Sequence, residues 1–210
     1  MSESINETNK GWVRITSITI ENLKNIEYGE ITFSSRKETF NSSILGLYGQ
    51  NGSGKTTLVN AIGILNMLLK GEKIPEQTVY LIKNGSSCAN LKFCFEITYP
   101  DSVYMVEYSF NIRKEQKEQT RDGIKEFFPV IENEILKLAI NSPKENQRQM
   151  TLLNTTGEDI FTPATKFDEL IGTKNKKTLV DMMVLKQLTH KQSQSFVFSN
   201  SLRSTIAQKA

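Results

Sequence analysis

Gly49-Gln50-Asn51-Gly52-Ser53-Gly54-Lys55-Thr56 satisfies the spacing G-x-x-x-x-G-K-[ST] at every fixed position. At average composition such a string arises by chance in on the order of one per cent of chains this long. Its surroundings lower the chance reading further. The apolar run Ile44-Leu45-Gly46-Leu47-Tyr48 precedes it directly and reads as a central strand covered on both faces. Thr56 to Lys70 follows with helical periodicity. Leu58, Ala61, Ile62, Leu65, Leu68 and Leu69 fall on one stripe, and Gly71 stands where a C-terminal cap belongs. Strand, glycine-rich loop and helix form the context in which this motif cradles phosphate.

Each residue type in the loop has a physical task. Gly49, Gly52 and Gly54 let the backbone take conformations that a Cβ forbids and bring N–H groups close to phosphate oxygens. The helix N-terminus aims about half a positive charge at the same anion. Lys55 is expected to neutralise the β- and γ-phosphates, Thr56 to offer its hydroxyl to Mg²⁺, and Thr57 to reach the α-phosphate. The expected nucleotide-binding segment is therefore Gly49, Gln50, Asn51, Gly52, Ser53, Gly54, Lys55, Thr56 and Thr57, with Thr56 the metal ligand. The expected ligands are ATP and Mg²⁺. A GTPase should carry an N-K-x-D base reader. Asn9-Lys10 is followed by Trp12 where the Asp should stand, and Asn175-Lys176 by Thr178, which disfavours GTP.

Outward from the loop, antiparallel strands dominate. Val13, Ile15, Ile18 and Ile20 alternate with a change of phase at Ser17, the mark of a bulge. Asn22 to Asn25 is a turn, and Ile31 and Phe33 resume the pattern in a second strand, antiparallel to the first. Leu91, Phe93, Phe95, Ile97 and Tyr99 share one face of a strand; Tyr104, Val106, Tyr108, Phe110 and Ile112 share one face of the next. Pro100-Asp101-Ser102 turns between them, so this is a hairpin with one apolar face, read as core or else as a partner surface. Ile124 to Ile140 and Met150 to Leu153 read as further antiparallel strands, Leu179 to Leu188 and Asn200 to Gln208 as helices.

Composition bounds the rest. The 210 residues carry 38% hydrophobic and 23% charged side chains, ordinary for a globular chain. A net charge of +3 writes no strong nucleic-acid grip into the whole chain, although residues 161–210 hold eight Lys and Arg against three Asp and Glu. His190 is the single histidine, which excludes two-histidine metal sites and leaves no Ser-His-Asp arrangement with a nucleophile elbow. Cys88 and Cys94 are too few for a disulfide scaffold or a Cys₄ site, and Cys94 reads as a small buried hydrophobe or a packed thiol. No apolar run reaches the roughly 18 residues of a membrane span, and no signal peptide is visible; a cytoplasmic protein is expected.

The stretch Ile18-Thr-Ile-Glu-Asn-Leu-Lys-Asn25, with Leu47-Tyr-Gly-Gln-Asn-Gly-Ser-Gly-Lys-Thr-Thr-Leu-Val-Asn-Ala-Ile62, resembles the opening of the ABC-type head ATPases. These are the structural-maintenance-of-chromosomes, RecF-like and OLD-like proteins, AAA-type ATPases with an ABC-like domain. The resemblance is specific over residues 13–65 and looser through residues 91–140, where Glu134-Ile-Leu136 matches an x-E-x-L strand. It implies an α/β fold, a P-loop NTPase (ABC-ATPase-like) core with an antiparallel β subdomain (residues 91–155) and C-terminal helices. Residues 1–11 are read as a flexible start and residues 12–210 as the N-terminal lobe of an ATPase head. Lys24 and Asn25 then belong to a loop that approaches the nucleotide, and Gln77 is a weak match to a Gln-loop residue.

Hydrolysis in such heads needs a Walker B element, apolar residues followed by Asp-Glu. Val103-Tyr-Met-Val-Glu107 imitates it but runs on into an alternating strand, and Thr178-Leu-Val-Asp181 sits in a helical pattern. The resemblance therefore implies an ATP-binding lobe whose Walker B and signature elements lie elsewhere in a longer protein. Such heads pair as homodimers and act on DNA repair, DNA maintenance or phage defence. A nucleotide-sensing module without hydrolysis, and a transporter's nucleotide-binding subunit, stand as the alternatives.

Overall fold

Apolar side chains at alternate positions build the sheet. The computed structural model describes residues 11–33, 46–99, 102–117, 126–141, 149–157, 176–200 and 202, with the backbone alone for 140, 141 and 176–183. Strands β1 (Trp12–Leu23), β2 (Ile26–Thr32), β3 (Cys88–Tyr99), β4 (Ser102–Gln116), β5 (Phe127–Asn141) and β6 (Met150–Asn154) form one sheet in the order β2-β1-β3-β4-β5-β6. Every neighbouring pair is antiparallel. The register of β1 on β3 slips between Ile15 and Ser17, where the sequence changes phase. One extra residue there keeps Ile15 and Ile18 on the same face.

On that inner face Phe93 stands opposite Tyr108, Leu91 opposite Phe110 and Ala89 opposite Ile112, all six buried. Phe93 and Phe110 stack with ring centroids 6.2 Å apart. The apolar face of the hairpin is thus core at this end only. Phe95 and Ile97 are half-buried, and Tyr99 at the far end is exposed. The turn expected at Pro100-Asp101 lies outside the described residues.

Helix α1 (Lys55–Leu69) lies against the same face. Thr57, Leu58, Ala61, Ile64, Leu65 and Leu68 are buried along it, at steps of three and four. Ile62, expected on the stripe, is 38% exposed, and Ile64 takes its place. One position is about 100° of helix rotation, which carries Ile62 off the flank that Ala61 centres. Gly71 closes the helix with φ +72, its N–H bonded to the Leu68 carbonyl at 2.9 Å. A 3₁₀ helix (Glu76–Leu81) follows, and α2 (Lys176–Lys191) leads into Phe196, Val197 and Leu202, which join the core. The helix expected over 200–208 falls almost wholly outside the described residues.

Two expectations need correction. Gly46, Leu47 and Tyr48 form no strand, and Tyr48 is 95% exposed. A strand buried on both faces needs sheet neighbours, and all six described strands are spent on the antiparallel sheet. Cys94 is half-buried on the outer face, opposite Glu107, because Phe93 beside it takes the inward position. Among the described residues no helix is long and apolar enough to cross a membrane.

Candidate nucleotide-binding site

The β1–β2 turn and the N-terminus of α1 meet at one corner of the sheet. Gly52 and Gly54 have φ of +86 and +92, the left-handed region in which a Cβ is strained. Gly54 is also the N-cap of α1, and a Cβ there would fall 2.8 Å from Ile26 Cδ1 of β2. A side chain at residue 54 would push the end of Ile26 aside and would be strained at φ +92. The first turn of α1 holds no acidic residue, so nothing offsets the positive end of its dipole.

Lys55 folds back over the loop. Its Nζ donates to the carbonyls of Gly49 at 2.6 Å and Gln50 at 2.8 Å and to Ser53 Oγ at 3.2 Å. An ammonium has three donors and no acceptor, and here all three reach oxygens of its own loop. Asn25 braces the loop from the opposite side. Its Nδ2 donates to the Gly52 carbonyl, and its Oδ1 accepts from the Thr57 hydroxyl at 3.3 Å. Lys24, with φ +53, and Asn25 thus line a cleft of about 290 Å³ with Asn51, Gly52, Ser53, Gly54, Lys55, Thr56 and Thr57.

Every residue expected from Asn51 to Thr57 lines that cleft, while Gly49 and Gln50 meet it only through the Lys55 ammonium. Thr56 is exposed and its hydroxyl can face a ligand. Thr57 is 1% exposed and already bonded to Asn25, so its hydroxyl serves the brace in this arrangement. For a divalent cation the cleft offers the Thr56 hydroxyl and no carboxylate. That set suits Mg²⁺, which keeps several waters and takes its remaining oxygens from phosphates. Among the described residues no group of three or more His, Cys, Asp and Glu could hold a metal by itself.

The other sequence candidates are not brought here. Glu107 is in the middle of β4 and pairs with Lys137 Nζ at 2.7 Å, so its stretch is no Walker B element. Gln77 is exposed in the 3₁₀ helix, with no strand leading into it. Asp181 lies within α2. His190 sits at the end of α2 with Nε2 3.1 Å from Glu115 Oε2.

A second polar centre went unread as such in the sequence. Glu134 on β5 is 1% exposed, and four groups point at its carboxyl. The Tyr108 hydroxyl donates at 2.6 Å, the Phe196 N–H at 2.7 Å, and the Ser195 hydroxyl and Val197 N–H complete the set. Burial raises the Glu134 pKa, and these hydrogen bonds oppose the rise. Burial, then the neighbouring Glu134, pushes the Tyr108 hydroxyl well above its usual range. Gln194 Nε2 donates to the Gly71 carbonyl at 3.1 Å and the Ile74 N–H to the Ser193 carbonyl at 3.0 Å. Glu134 therefore fixes the segment after α2 to β4 and β5, and Ser193 and Gln194 of that segment hold the chain just past α1.

Comparison with curated proteins finds no match. The family model described as "AAA domain" matches residues 17–209, nearly the whole chain and all of the cleft just described. The chain belongs to the AAA domain family, that of the AAA-like P-loop ATPases.

Proposed function

We propose that this chain is the ATP-binding lobe of an SMC/RecF/OLD-like ATPase head. The reading rests on one observation: a glycine-rich loop at the N-terminus of α1, carrying Lys55 and braced by Asn25. Thr56 would hold Mg²⁺ through its hydroxyl, and the ion would supply neutralisation of phosphate charge. Lys55 would leave its loop carbonyls for phosphate oxygens, a stronger acceptor for an ammonium. The N–H groups of Gly52 to Thr56 would cradle the chain of phosphates, and Lys24 would add a second cation at the rim.

Hydrolysis is assigned to Walker B and signature elements that the 210 residues do not contain. The exposure of Leu47, Tyr48, Val59 and Ile62 supports this, since these apolar groups flank the loop and the outward side of α1. A further lobe that covers them would complete the head. Two such heads would engage as a homodimer around ATP, and their cycle would act on DNA in repair, maintenance or phage defence.

Titration calorimetry with Mg-ATP tests the site. The chain should bind, and Lys55→Ala should lose on the order of a hundredfold or more in affinity, because several charge-assisted hydrogen bonds disappear together. Turnover by the isolated chain should be negligible. Steady hydrolysis abolished by Lys55→Ala would instead show that the chain carries its own catalytic carboxylate.

A further inference from the structure

At Lys24 the rim of the phosphate cleft is backed by a second stretch of backbone. The Lys24 N–H donates to the Leu81 carbonyl at 2.6 Å, the Lys83 N–H to the Asn22 carbonyl at 2.9 Å, and Leu23 and Ile82 pair as an isolated antiparallel bridge. Residues 81–83 thus run alongside the β1–β2 turn that carries Lys24. Next to Leu81, about 3.8 Å further along the backbone, stands Tyr80 at the end of the 3₁₀ helix.

Tyr80 is 83% exposed, whereas Thr78, Val79 and Ile82 around it are 5%, 2% and 2% exposed. Three buried neighbours pin the backbone while the ring is left in solvent. An aromatic ring on a fixed backbone loses little freedom when something stacks on it, which is what a base platform requires. A phosphate chain seated on the Gly49–Thr57 loop leaves its nucleoside outside the cleft, because the cleft of about 290 Å³ is lined throughout by the loop, Lys24 and Asn25. The pairing of Lys24 with Leu81 sets Tyr80 beside the turn that carries Lys24 and Asn25 at the rim of the cleft.

We propose that Tyr80 is the platform on which the base of the bound nucleoside triphosphate stacks, a subsite that rests on the nucleotide-binding reading above. Lys55 and the loop hold the phosphates; Tyr80 holds the other end and sets how much the nucleoside adds to affinity. The two ends act on different parts of one ligand, so they separate experimentally.

The test compares Mg-ATP with magnesium tripolyphosphate, which has the phosphates and no base, by titration calorimetry on the full chain. Tyr80→Ala should weaken Mg-ATP about tenfold, in line with base–aromatic stacking elsewhere, and leave tripolyphosphate unchanged. Tyr80→Phe, which keeps the ring, should recover most of that loss. Lys55→Ala should weaken both ligands alike. An unchanged Mg-ATP affinity in Tyr80→Ala overturns the subsite, as does an equal loss for both ligands, which would mark a structural role. Equal affinity of the native chain for the two ligands also overturns it. If the native chain binds neither, the nucleotide site itself falls and the platform falls with it.

Discussion

At the N-terminus of α1 the bonds are short in sequence and open to water: Lys55 reaches Gly49, Gln50 and Ser53, none more than six residues away. Past the C-terminus of the same helix the anchoring is remote: Gln194 and Ser193 bond Gly71 and Ile74, and the segment that carries them is fixed in turn by a buried carboxyl. Glu134 gathers Tyr108, Ser195 and Phe196 from 26, 61 and 62 residues along the chain, all of them buried. The loop can exchange its internal bonds for those of a ligand without disturbing the core. The carboxyl centre cannot lose a bond without opening it. One helix therefore joins an exchangeable end to a fixed end, and substitutions at the two should fail in different ways.

The largest effect on stability is expected at the fixed end. Glu134→Ala leaves two hydroxyls and two backbone N–H groups buried without their acceptor. Removing one member of such a network costs about 3–5 kcal/mol, of which each stranded group accounts for roughly 1–3 before the site relaxes. At 210 residues that lowers Tm by about 10 °C. Thermal unfolding without ligand would read it. A change within about 0.5 kcal/mol, typical of a surface site, would mean that the centre does not anchor the segment after α2.

The same contrast explains what could be read from the sequence. The bulge in β1 was legible because apolar residues flank it, Val13 and Ile15 before and Ile18 and Ile20 after, so the alternation visibly shifts phase. The bulge in β5 was not. There the register against β4 slips between Ser109 and Asn111, and Asn133 takes φ +53. Plain alternation puts Glu134 on the same outward face as Glu132, which does pair with Arg113 at 2.9 Å. The slip turns Glu134 inward to lie beside Tyr108. A charged residue at an inner position carries no hydrophobic signal to reveal the shift, and three of its four partners are supplied by the segment after α2. The phosphate loop depends on neither kind of information: its glycines, its lysine and its helix are contiguous. The strand expected at Ile44–Tyr48 shows the reverse error over its described part, residues 46–48, since an apolar run specifies burial but not the neighbours that provide it.

A smaller effect is expected where the open end borrows its one remote support. Asn25→Ala removes the bond to the Gly52 carbonyl and the acceptor for Thr57, while the β1–β2 pairing from Ser17 to Ile26 stays intact. A net loss of about 1 kcal/mol for such bonds corresponds to a roughly threefold to tenfold weaker Mg-ATP affinity. Stability should fall by only about 1 kcal/mol, since Asn25 itself is exposed and the buried Thr57 hydroxyl alone loses a long bond. Titration calorimetry beside thermal unfolding would check both halves. A fall in Tm without a fall in affinity would move Asn25 from the exchangeable end to the fixed one.

The finest effect separates two forces within the fixed end. Burial raises the Glu134 pKa above the usual 4.5, while four donors pull the other way, and burial prevails. With the folded value raised, the folded chain binds this proton more tightly than the unfolded chain does. The resulting stabilisation is complete below about pH 4.5 and is lost as pH rises through the higher folded value. The native chain should therefore gain stability relative to Glu134→Gln as pH falls from 7 towards 5, measured by urea unfolding of both proteins at each pH. Other carboxylates lower the stability of both alike, so only the difference between the two proteins is informative. If that difference shrinks on acidification instead, the donors outweigh burial and the centre holds an ionised carboxylate. Its four hydrogen bonds would then be charge-assisted, and the segment after α2 would be held more tightly at neutral pH than in acid.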